Sequence, residues 1–418
     1  MITELRTQNF KPWKDTGALQ FAPLTGFFGA NSSGKTSILQ VLLMLKQTTE
    51  RPSDWNEPLY FGDEKSLVNL GSFNDVIHEH GENLRLNISV LWKSIEGVYI
   101  KSHDLKLPLN ASMQTLAMSG GYPDEPRTLS FSTNIADSTV NNFHYETGQN
   151  RFSVNGTETD NLFRCYGLTE SQDFPRFEKA FEDLFSRICY LGPRREDPRR
   201  NYKWEESHPN DVGHYGEKMV SALLSSRVRL RSTDEQIMKW LLRLELIHSY
   251  DVNPTSNTEQ DYQLLVQQFK DGPKVGLTDV GFGVSQVLPF LALCYYANED
   301  SILILEQPEA HLHPKVQSDL ADVLIDVVKN RNIQIILESH SEHLLHRLTR
   351  RIAEEEISQN DMALYFCEIN NGKSTAEKLA VDEYGNISNW PPNFFGDEMG
   401  DLAAKARAEI QRKKEINQ

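Results

Sequence analysis

The residues at positions 29–36 (GANSSGKT) have the types and the spacing of a phosphate-binding loop, or P-loop. They fit the pattern G-x-x-x-x-G-K-[ST] at every fixed position. Two glycines let the backbone curl, so that its N–H groups and the N-terminus of the next helix face phosphate oxygens. In this motif the ammonium group of Lys35 reaches the β- and γ-phosphates, and the hydroxyl of Thr36 binds Mg²⁺. The candidate nucleotide-binding residues are Gly29, Ala30, Asn31, Ser32, Ser33, Gly34, Lys35, Thr36 and Ser37.

The motif alone does not decide the class of protein. Kinases, GTPases, helicases and ABC-type machines all carry it, and a Gly/Ser turn before a helix is a purely structural alternative. The flanking elements favour a binding loop, because a predicted strand over 18–28 leads into it and a predicted helix over 36–47 follows it.

A second polar group follows the apolar run at 301–305 (SILIL). It contains Glu306, Gln307 and Glu309. In an α/β fold the carboxyl ends of parallel strands border the ligand. Glu306 is therefore a candidate Mg²⁺ partner, either by direct contact or through a water molecule.

Two further segments could contribute to the same site. The apolar run at 333–337 ends in 338–341 (ESHS), where a ring N–H of His340 could sense a γ-phosphate; the alternative is a packed or helix-capping histidine. Upstream, 278–286 (TDVGFGVSQ) places glycines before a helix start, and Gly283, Ser285 and Gln286 could offer donors to an anion. Taken alone this second pattern is weak, since Gly-x-Gly-x-Ser is common in ordinary loops.

Five histidines lie close together in the sequence, which raises the alternative of a zinc site. They are His311, His313, His340, His343 and His346. We disfavour zinc because the first two follow the turn after Glu306, and because no H-E-x-x-H pattern is present.

The predicted elements form an α/β core that is divided between the two ends of the chain. Strands are predicted over 2–10 and 18–28, and alternating segments over 84–155 indicate an antiparallel β region. Helical patterns follow at 176–189 and 215–249. The core is then closed by a helix, a strand, a helix and a strand, predicted at 275–296, 301–306, 316–331 and 333–338.

Composition indicates a globular chain of two to four structural units. The 418 residues carry 43 Lys and Arg against 59 Asp and Glu, a net charge of −16, which argues against wrapping of DNA over the whole surface. The four cysteines form no C-x-x-C pair. Since the sequence shows neither a signal peptide nor a long apolar stretch, we expect a cytoplasmic protein with no membrane contact.

Basic residues concentrate in one segment. Between residues 187 and 243 there are twelve Lys and Arg against eight Asp and Glu, a local net charge of +4. Here Arg194, Arg195, Arg199 and Arg200 could contact DNA. Internal ion pairs with nearby acids are an equal alternative, and the first two arginines could instead support the nucleotide site.

In the order of these motifs, the chain resembles the ABC-type ATPases of the overcoming-lysogenization-defect and recombination-protein F group, which are relatives of SMC heads. It is most similar to a bacterial subfamily with a C-terminal domain of unknown function. The segments that carry this likeness span nearly the whole chain; they are 70–75 (LGSFND), 190–196 (YLGPRRE), 338–345 (ESHSEHLL) and 390–395 (WPPNFF).

The resemblance implies an α/β fold: a P-loop NTPase head of the ABC type, with a mixed sheet and flanking helices, split by a β-rich and helical insertion. We predict the N-terminal part of the head at 1–92, the insertion at 93–270, the C-terminal part of the head at 271–350 and a C-terminal appendage at 351–418. The cofactors implied are ATP and Mg²⁺.

The resemblance also implies partners. Gly283, Ser285 and Gln286 would form a signature element that completes the ATP site of another subunit, so that a dimer, or a higher even number of heads, encloses the nucleotides. Such a head would control a separate effector, a nuclease for example, in phage defence or DNA maintenance.

One departure from the ABC pattern concerns hydrolysis. The pattern has Asp followed by a Glu that acts as general base, whereas this chain has Glu306 followed by Gln307. An amide cannot accept a proton from water. Glu309 or a more distant carboxylate would then be the base, or hydrolysis would be slow. The rival functions are an ATP-gated scaffold with negligible turnover and a DNA-repair mediator with DNA-stimulated ATPase activity.

Overall fold

The structure is a computed structural model. It describes residues 1–51, 59–78, 85–93, 99–108, 114–122, 125–133, 142–147, 150–155, 163–164, 167–168, 175–204, 208–229, 231–255, 261–391, 394 and 404–405. Within the predicted C-terminal appendage, positions 392–393, 395–403 and 406–418 therefore lie outside the described residues.

The helices of the described residues are α1 Lys35–Thr49, α2 Phe73–Val76, α3 Pro175–Ser186, α4 Met219–Arg229, α5 Arg231–Arg243, α6 Phe282–Tyr296, α7 Pro314–Arg331 and α8 Glu342–Ala353. The strands in the first half are β1 Ile2–Phe10, β2 Trp13–Asp15, β3 Leu19–Gln20, β4 Leu24–Gly29, β5 Arg85–Lys93, β6 Tyr99–Pro108, β7 Gln114–Tyr122, β8 Glu125–Thr133, β9 Asn142–Thr147 and β10 Asn150–Asn155. The remaining strands are β11 Phe163–Arg164, β12 Gly167–Leu168, β13 Ile188–Leu191, β14 Tyr202–Lys203, β15 Ser249–Pro254, β16 Asp261–Gln267, β17 Lys274–Gly276, β18 Ile302–Glu306, β19 Gln334–Ser339, β20 Met362–Asn370 and β21 Lys373–Lys378.

A six-stranded central sheet positions the P-loop. Its strand order is β13-β18-β19-β4-β20-β21, and every neighbouring pair is parallel except β20 and β21. The sequence of β18 explains why this strand is buried in the middle of the molecule. Ile302 and Ile304 belong to the core on one face of the sheet, and Leu303 and Leu305 to the core on the other. Helices cover both faces, as a buried parallel sheet requires. This confirms the predicted α/β fold, a mixed sheet with flanking helices.

The β-rich part of the chain forms a second, nine-stranded antiparallel sheet. It runs in the order β10-β9-β8-β7-β6-β5-β1-β2, with β3 paired to β1. The strand predicted over 18–28 is in fact two strands, β3 and β4, which lie in different sheets. The predicted strand is interrupted between them at Pro23, which has no N–H to donate to a neighbouring strand.

The central sheet draws strands from segments that we predicted to lie outside the head. Strand β13 comes from the predicted insertion, and β20 and β21 come from the predicted appendage. Strand β20 pairs directly with the P-loop strand β4. The reason is its first six residues (MALYFC), which are all buried and form the apolar run that a central parallel strand needs. The boundary predicted at residue 351 therefore does not coincide with an edge of this sheet.

Two predicted helical patterns end earlier or start later than expected. The pattern over 176–189 stops at Ser186, where β13 begins two residues later. The pattern over 275–296 becomes helix only at Phe282, after Gly281.

Among the described residues no helix is long and apolar enough to cross a membrane.

A buried carboxylate ties together three helices next to the sheet. Asp322 of α7 accepts hydrogen bonds from Arg243 of α5 at 3.2 Å and from Arg347 of α8 at 3.0 Å. Arg351 of α8 binds both of its oxygens, at 2.6 and 2.7 Å. Because three positive groups share one buried acceptor, loss of its charge removes the partner that they have in common, although Arg347 also pairs with Asp319 and Arg351 with Glu354.

We expect Asp322→Asn to lower the free energy of unfolding by about 2–4 kcal/mol, since one partner of a buried charged network is neutralised while the arginines keep some exposure. Urea unfolding followed by tryptophan fluorescence measures this change. The matched control is Glu354→Gln, which also touches Arg351 but is exposed and should therefore cost clearly less than Asp322→Asn. Equal losses in the two variants would contradict the stabilising role of Asp322.

Candidate active site

The P-loop connects β4 to α1 and is held by close backbone contacts. Gly29 has φ +140° and Gly34 has φ +93°. A Cβ atom at Gly29 would lie 2.0 Å from the carbonyl oxygen of Cys367 on the neighbouring strand β20. The indole N–H of Trp13 donates a hydrogen bond of 2.9 Å to the Gly34 carbonyl oxygen. Glycine is thus required at position 29 both by the backbone angle and by the space that is left.

Lys35 is the cation at the centre of this loop. It is the buried first residue of α1, and its Nζ donates hydrogen bonds to the carbonyl oxygens of Gly29 (3.1 Å) and Ala30 (2.7 Å) and to Oγ of Ser33 (3.2 Å). Burial lowers the pKa of the ammonium group from its ordinary value. Two other candidate residues of the loop, Asn31 and Ser32, are exposed. A positive group framed by the loop backbone is what a bound polyphosphate needs.

Two carboxylates from adjacent strands lie beside the loop. Thr36 donates its hydroxyl to Oε2 of Glu338 at 2.7 Å. Glu338 on β19 is in register with Glu306 on β18, and both side chains are buried. Tyr190 donates its hydroxyl to Oε1 of Glu306 at 3.0 Å. Burial, reinforced by the charge of Glu338, raises the pKa of Glu306 to about 7.

Glu309 is a third buried carboxylate, near Glu338, and one of its oxygens has no hydrogen-bond partner among the described residues. We call Glu306, Glu309 and Glu338 the acidic cluster. Glu309 Oε1 accepts hydrogen bonds from Oγ of Ser339 at 2.7 Å and from the backbone N–H of His340 at 2.8 Å. Its Oε2 is buried and has no hydrogen-bond partner among the described residues. Burial raises the pKa of this carboxyl. Gln307 has φ +44°, and its backbone N–H donates to the Glu338 carbonyl oxygen at 2.9 Å.

His340 lies between the acidic cluster and the P-loop. Its Nε2 is 3.9 Å from Oε1 of Glu338, and its ring is within hydrogen-bonding reach of the backbone of Gly29. Burial, together with the positive charge of Lys35, lowers the pKa of the imidazole. A neutral ring keeps one N–H donor and one acceptor nitrogen, so it can report on a group bound at the loop.

The signature-like element lies at the start of α6. Ser285 and Gln286 are buried, and Oγ of Ser285 donates to the carbonyl oxygen of Phe282 at 2.7 Å, within its own helix. Phe282 itself is 53% exposed, and its ring meets the ring of His311 edge-on at 5.5 Å. At the helix start Gly281 and Phe282 are exposed, and the ring of Phe282 contacts the turn after Glu306 through His311.

The other histidines of the group go to separate places. The ring of His313 accepts a hydrogen bond from the Lys315 backbone at the start of α7, and the ring of His346 stacks on Trp390. Nε2 of His343 lies 3.9 Å from Oε1 of the adjacent Glu342. Within the part of the chain that the structure describes, no three His, Cys, Asp or Glu side chains are grouped as a metal centre of the zinc type would need.

The four arginines of the basic segment also separate. Arg195 turns inward and donates to the carbonyl oxygen of Gly192, and burial lowers its pKa to about 10 against the opposing charges of Glu309 and Glu306. The first arginine, at position 194, is exposed. Arg199 pairs with Glu196, and Arg200 pairs with Asp279 at 3.3 Å.

Three residues of this cluster were missing from the site predicted from sequence: Tyr190, Glu338 and Ser339. The signal for Glu338 was present, because both apolar runs at 301–305 and 333–337 are followed at once by Glu. Adjacent parallel strands that end in the same residue type bring those side chains together. Nothing in the local pattern around Tyr190 indicates a bond to a residue more than one hundred positions away.

The fold and the site together define the class of protein. A P-loop follows one strand, an acidic turn follows the strand two places away, and a Ser-His-Ser segment follows the strand between them. These are the features of a P-loop NTPase. The chain belongs to the AAA ATPase domain family, which matches residues 1–189 and 202–345. Residues 357–404 match a second family, described as a protein of unknown function (DUF3696), which confirms the predicted C-terminal resemblance.

Solved structures that are similar to the chain include SMC heads. An SMC head bound to the C-winged helix domain of ScpA is 11% identical with a TM-score of 0.47, covering 90% of this chain and 98% of that one. The SMC head domain from Thermotoga maritima is 9% identical (TM-score 0.40; 91% and 99% covered). The Smc head with an extended coiled coil, bound to the C-terminal domain of ScpA from Pyrococcus furiosus, is 11% identical (TM-score 0.43; 98% and 99% covered). No curated protein sequence matches the chain.

Proposed function

We propose that the chain binds Mg²⁺-ATP at this site, hydrolyses it slowly and associates head to head around the nucleotides. The observation that carries the proposal is the contact between Thr36 and Glu338, which joins the P-loop to the acidic edge of the sheet. A phosphate-binding loop, a metal-binding hydroxyl and buried carboxylates thereby lie in one place. Hydrolysis needs all three in reach of the same phosphate.

The residues present fit a magnesium ion. Mg²⁺ prefers oxygen ligands and is commonly held by one or two carboxylates together with substrate phosphates. Thr36 and Glu306 would hold it, and the raised pKa of Glu306 reflects a buried acidic pair that a divalent cation would relieve. When bound, the ion supplies positive charge that neutralises the phosphate oxygens.

Glu309 is our candidate for the general base. Its unpaired, buried Oε2 is the acceptor that a water molecule requires, while two donors hold the other oxygen. Burial makes this carboxylate a stronger base than one in water. Gln307 cannot take a proton, so turnover should depend on Glu309 and be slow.

The surface at 281–283 supports association of two heads. Phe282 is about half exposed next to His311, at the N-terminus of α6. Exposed aromatic rings are characteristic of protein–protein contacts. In the proposed dimer this surface faces the nucleotide of the partner head. Control of a separate effector such as a nuclease, and a place in phage defence or DNA maintenance, are proposed on the sequence resemblance alone.

Association can be tested with a hydrolysis-deficient variant. We expect Glu309→Gln to form dimers in Mg²⁺-ATP and monomers without nucleotide, as measured by light scattering after size exclusion. Adding Phe282→Asp should abolish the dimer, because a charge would be buried in the interface. The matched control is Phe269→Asp, at a side chain that is 72% exposed in the turn between β16 and β17. A mass that does not respond to ATP would contradict the proposal, and so would equal effects of the two Phe variants.

The alternatives receive different support. The scaffold with negligible turnover is favoured by Gln307, in place of a carboxylate. The DNA-repair mediator is less well supported, because Arg199 and Arg200 have acidic partners within the chain and Arg195 faces the acidic cluster. Only Arg194 of the four is both exposed and without a recorded ion pair among the described residues.

A further inference from the structure

Glu338 is the most deeply buried carboxylate of the acidic cluster, with 2% of its surface exposed. It lies near the end of β19, the strand between the P-loop strand and the strand that carries Glu306. Its Oε2 accepts the hydroxyl hydrogen of Thr36 at 2.7 Å. The side chain thus contacts the P-loop residue whose hydroxyl binds Mg²⁺ in this motif.

Glu338 is buried, yet no Lys or Arg among the described residues forms an ion pair with it. The in-register neighbour of Glu338 is Glu306, a group of the same charge. The nearest cation in the loop, Lys35, directs its ammonium group to three oxygen atoms of the loop itself. The ring nitrogen Nε2 of His340 is 3.9 Å from Oε1 of Glu338. Lys35 and Arg195 attract Glu338 and Glu306 only from a longer distance, so the two adjacent buried carboxylates remain costly.

A merely structural role would not require the charge. The hydroxyl of Thr36 needs one acceptor, which a neutral amide would provide without the cost of burying an ion. The charge is useful only if a cation binds between the two strands. Thr36, Glu306 and Glu338 offer three oxygen donors, and magnesium sites commonly combine one or two carboxylates with substrate phosphates.

We propose that Glu338 is a second metal-binding carboxylate of the ATP site, which holds Mg²⁺ jointly with Thr36 and Glu306. This inference rests on the proposed function and adds to it a ligand that the P-loop and the acid at the end of β18 do not provide. It also explains why a Glu stands near the end of β19: the strand next to the P-loop strand places this carboxylate against Thr36.

The test is Glu338→Gln, because the amide oxygen can still accept the Thr36 hydroxyl while the charge is lost. Binding of a fluorescent ATP analogue is measured by anisotropy across a Mg²⁺ titration and in EDTA. We expect the Mg²⁺ concentration for half-maximal binding to rise at least about tenfold, with unchanged affinity in EDTA. The thermal unfolding temperature in EDTA should stay equal or rise, since a buried like charge is removed. The matched control is Glu342→Gln, a partly exposed glutamate on α8.

The outcomes separate the two proposals. If the wild-type protein does not bind the analogue even with Mg²⁺, the proposed function fails. If the wild type binds and Glu338→Gln has the same Mg²⁺ requirement, Glu338 is only a hydrogen-bond acceptor and the inference is overturned. Should Glu338→Gln not fold, Glu338→Asp replaces it: the shorter side chain withdraws the carboxylate from Thr36, and an unchanged Mg²⁺ requirement would again overturn the inference.

Discussion

Replacement of Lys35 by alanine is expected to weaken the binding of Mg²⁺-ATP by at least about 100-fold. The ammonium group is buried at the centre of the P-loop and is held by three oxygen atoms of the loop. In the motif it binds two phosphate groups. Charge-assisted hydrogen bonds contribute about 1.5–3 kcal/mol each, and two of them at the lower end correspond to roughly 100-fold in Kd.

Isothermal titration calorimetry with ATP and Mg²⁺ measures this loss. The control is Lys14→Ala on β2, an exposed lysine that leaves the loop intact. The far-ultraviolet circular dichroism spectrum of Lys35→Ala should match that of the wild type, because the variant removes contacts within one loop and no element of the core. Affinity within fivefold of the wild type would show that the loop does not bind the phosphates.

Replacement of Glu309 by glutamine is expected to lower kcat for ATP by about 100- to 1,000-fold with little change in KM. General-base catalysis contributes about 10²–10⁴ to the rate, and an amide cannot provide it. The carbonyl oxygen of glutamine can still accept the hydrogen bonds that Ser339 and His340 donate to Oε1. The substitution should therefore leave the position of the side chain and the binding of nucleotide unchanged.

The comparison with Gln307→Ala makes this prediction specific. Gln307 contributes its backbone N–H to the Glu338 carbonyl oxygen, and alanine preserves that bond. We expect Gln307→Ala to change kcat by less than about tenfold, since the side chain it removes cannot accept a proton. Steady-state phosphate release gives both values. Normal hydrolysis by Glu309→Gln would assign the base to another residue.

Local motifs allowed the P-loop and the elements around it to be predicted from sequence. The conformation of the P-loop depends on Gly29, Gly34 and Lys35, which lie within one short segment where Lys35 contacts the loop backbone. A local motif therefore specifies it. The apolar runs of β18 and β19 are equally local, because burial on both faces requires them to be continuous. The α/β fold of the head followed from these features together.

Strand order could not be predicted in this way. The bond between Thr36 and Glu338 joins residues that are 302 positions apart, and it exists because β19 lies beside β4 in the sheet. The same applies to β20, whose apolar run was visible but whose pairing with β4 was not. Tertiary packing, not local propensity, decides which strand lies next to the P-loop.

The direction of individual side chains could not be predicted from the sequence either. Ser285 and Gln286 follow the glycines of the signature-like element as expected, yet both are buried and the exposed residue is Phe282. Likewise Arg194 and Arg195 are adjacent in sequence, but the first is exposed and the second turns toward the acidic cluster. Periodicity places such residues on an element but does not say which of them faces a ligand.

The proposed ATPase activity is tested most directly by the release of inorganic phosphate from Mg²⁺-ATP. Release by the purified wild-type chain is compared with release by Lys35→Ala and by the wild type in EDTA. We predict steady release at a rate below about 1 s⁻¹, at the low end of the range for enzymes, and none above background in either control. Release by the wild type that does not exceed the Lys35→Ala control would contradict the ATPase and leave the ATP-gated scaffold.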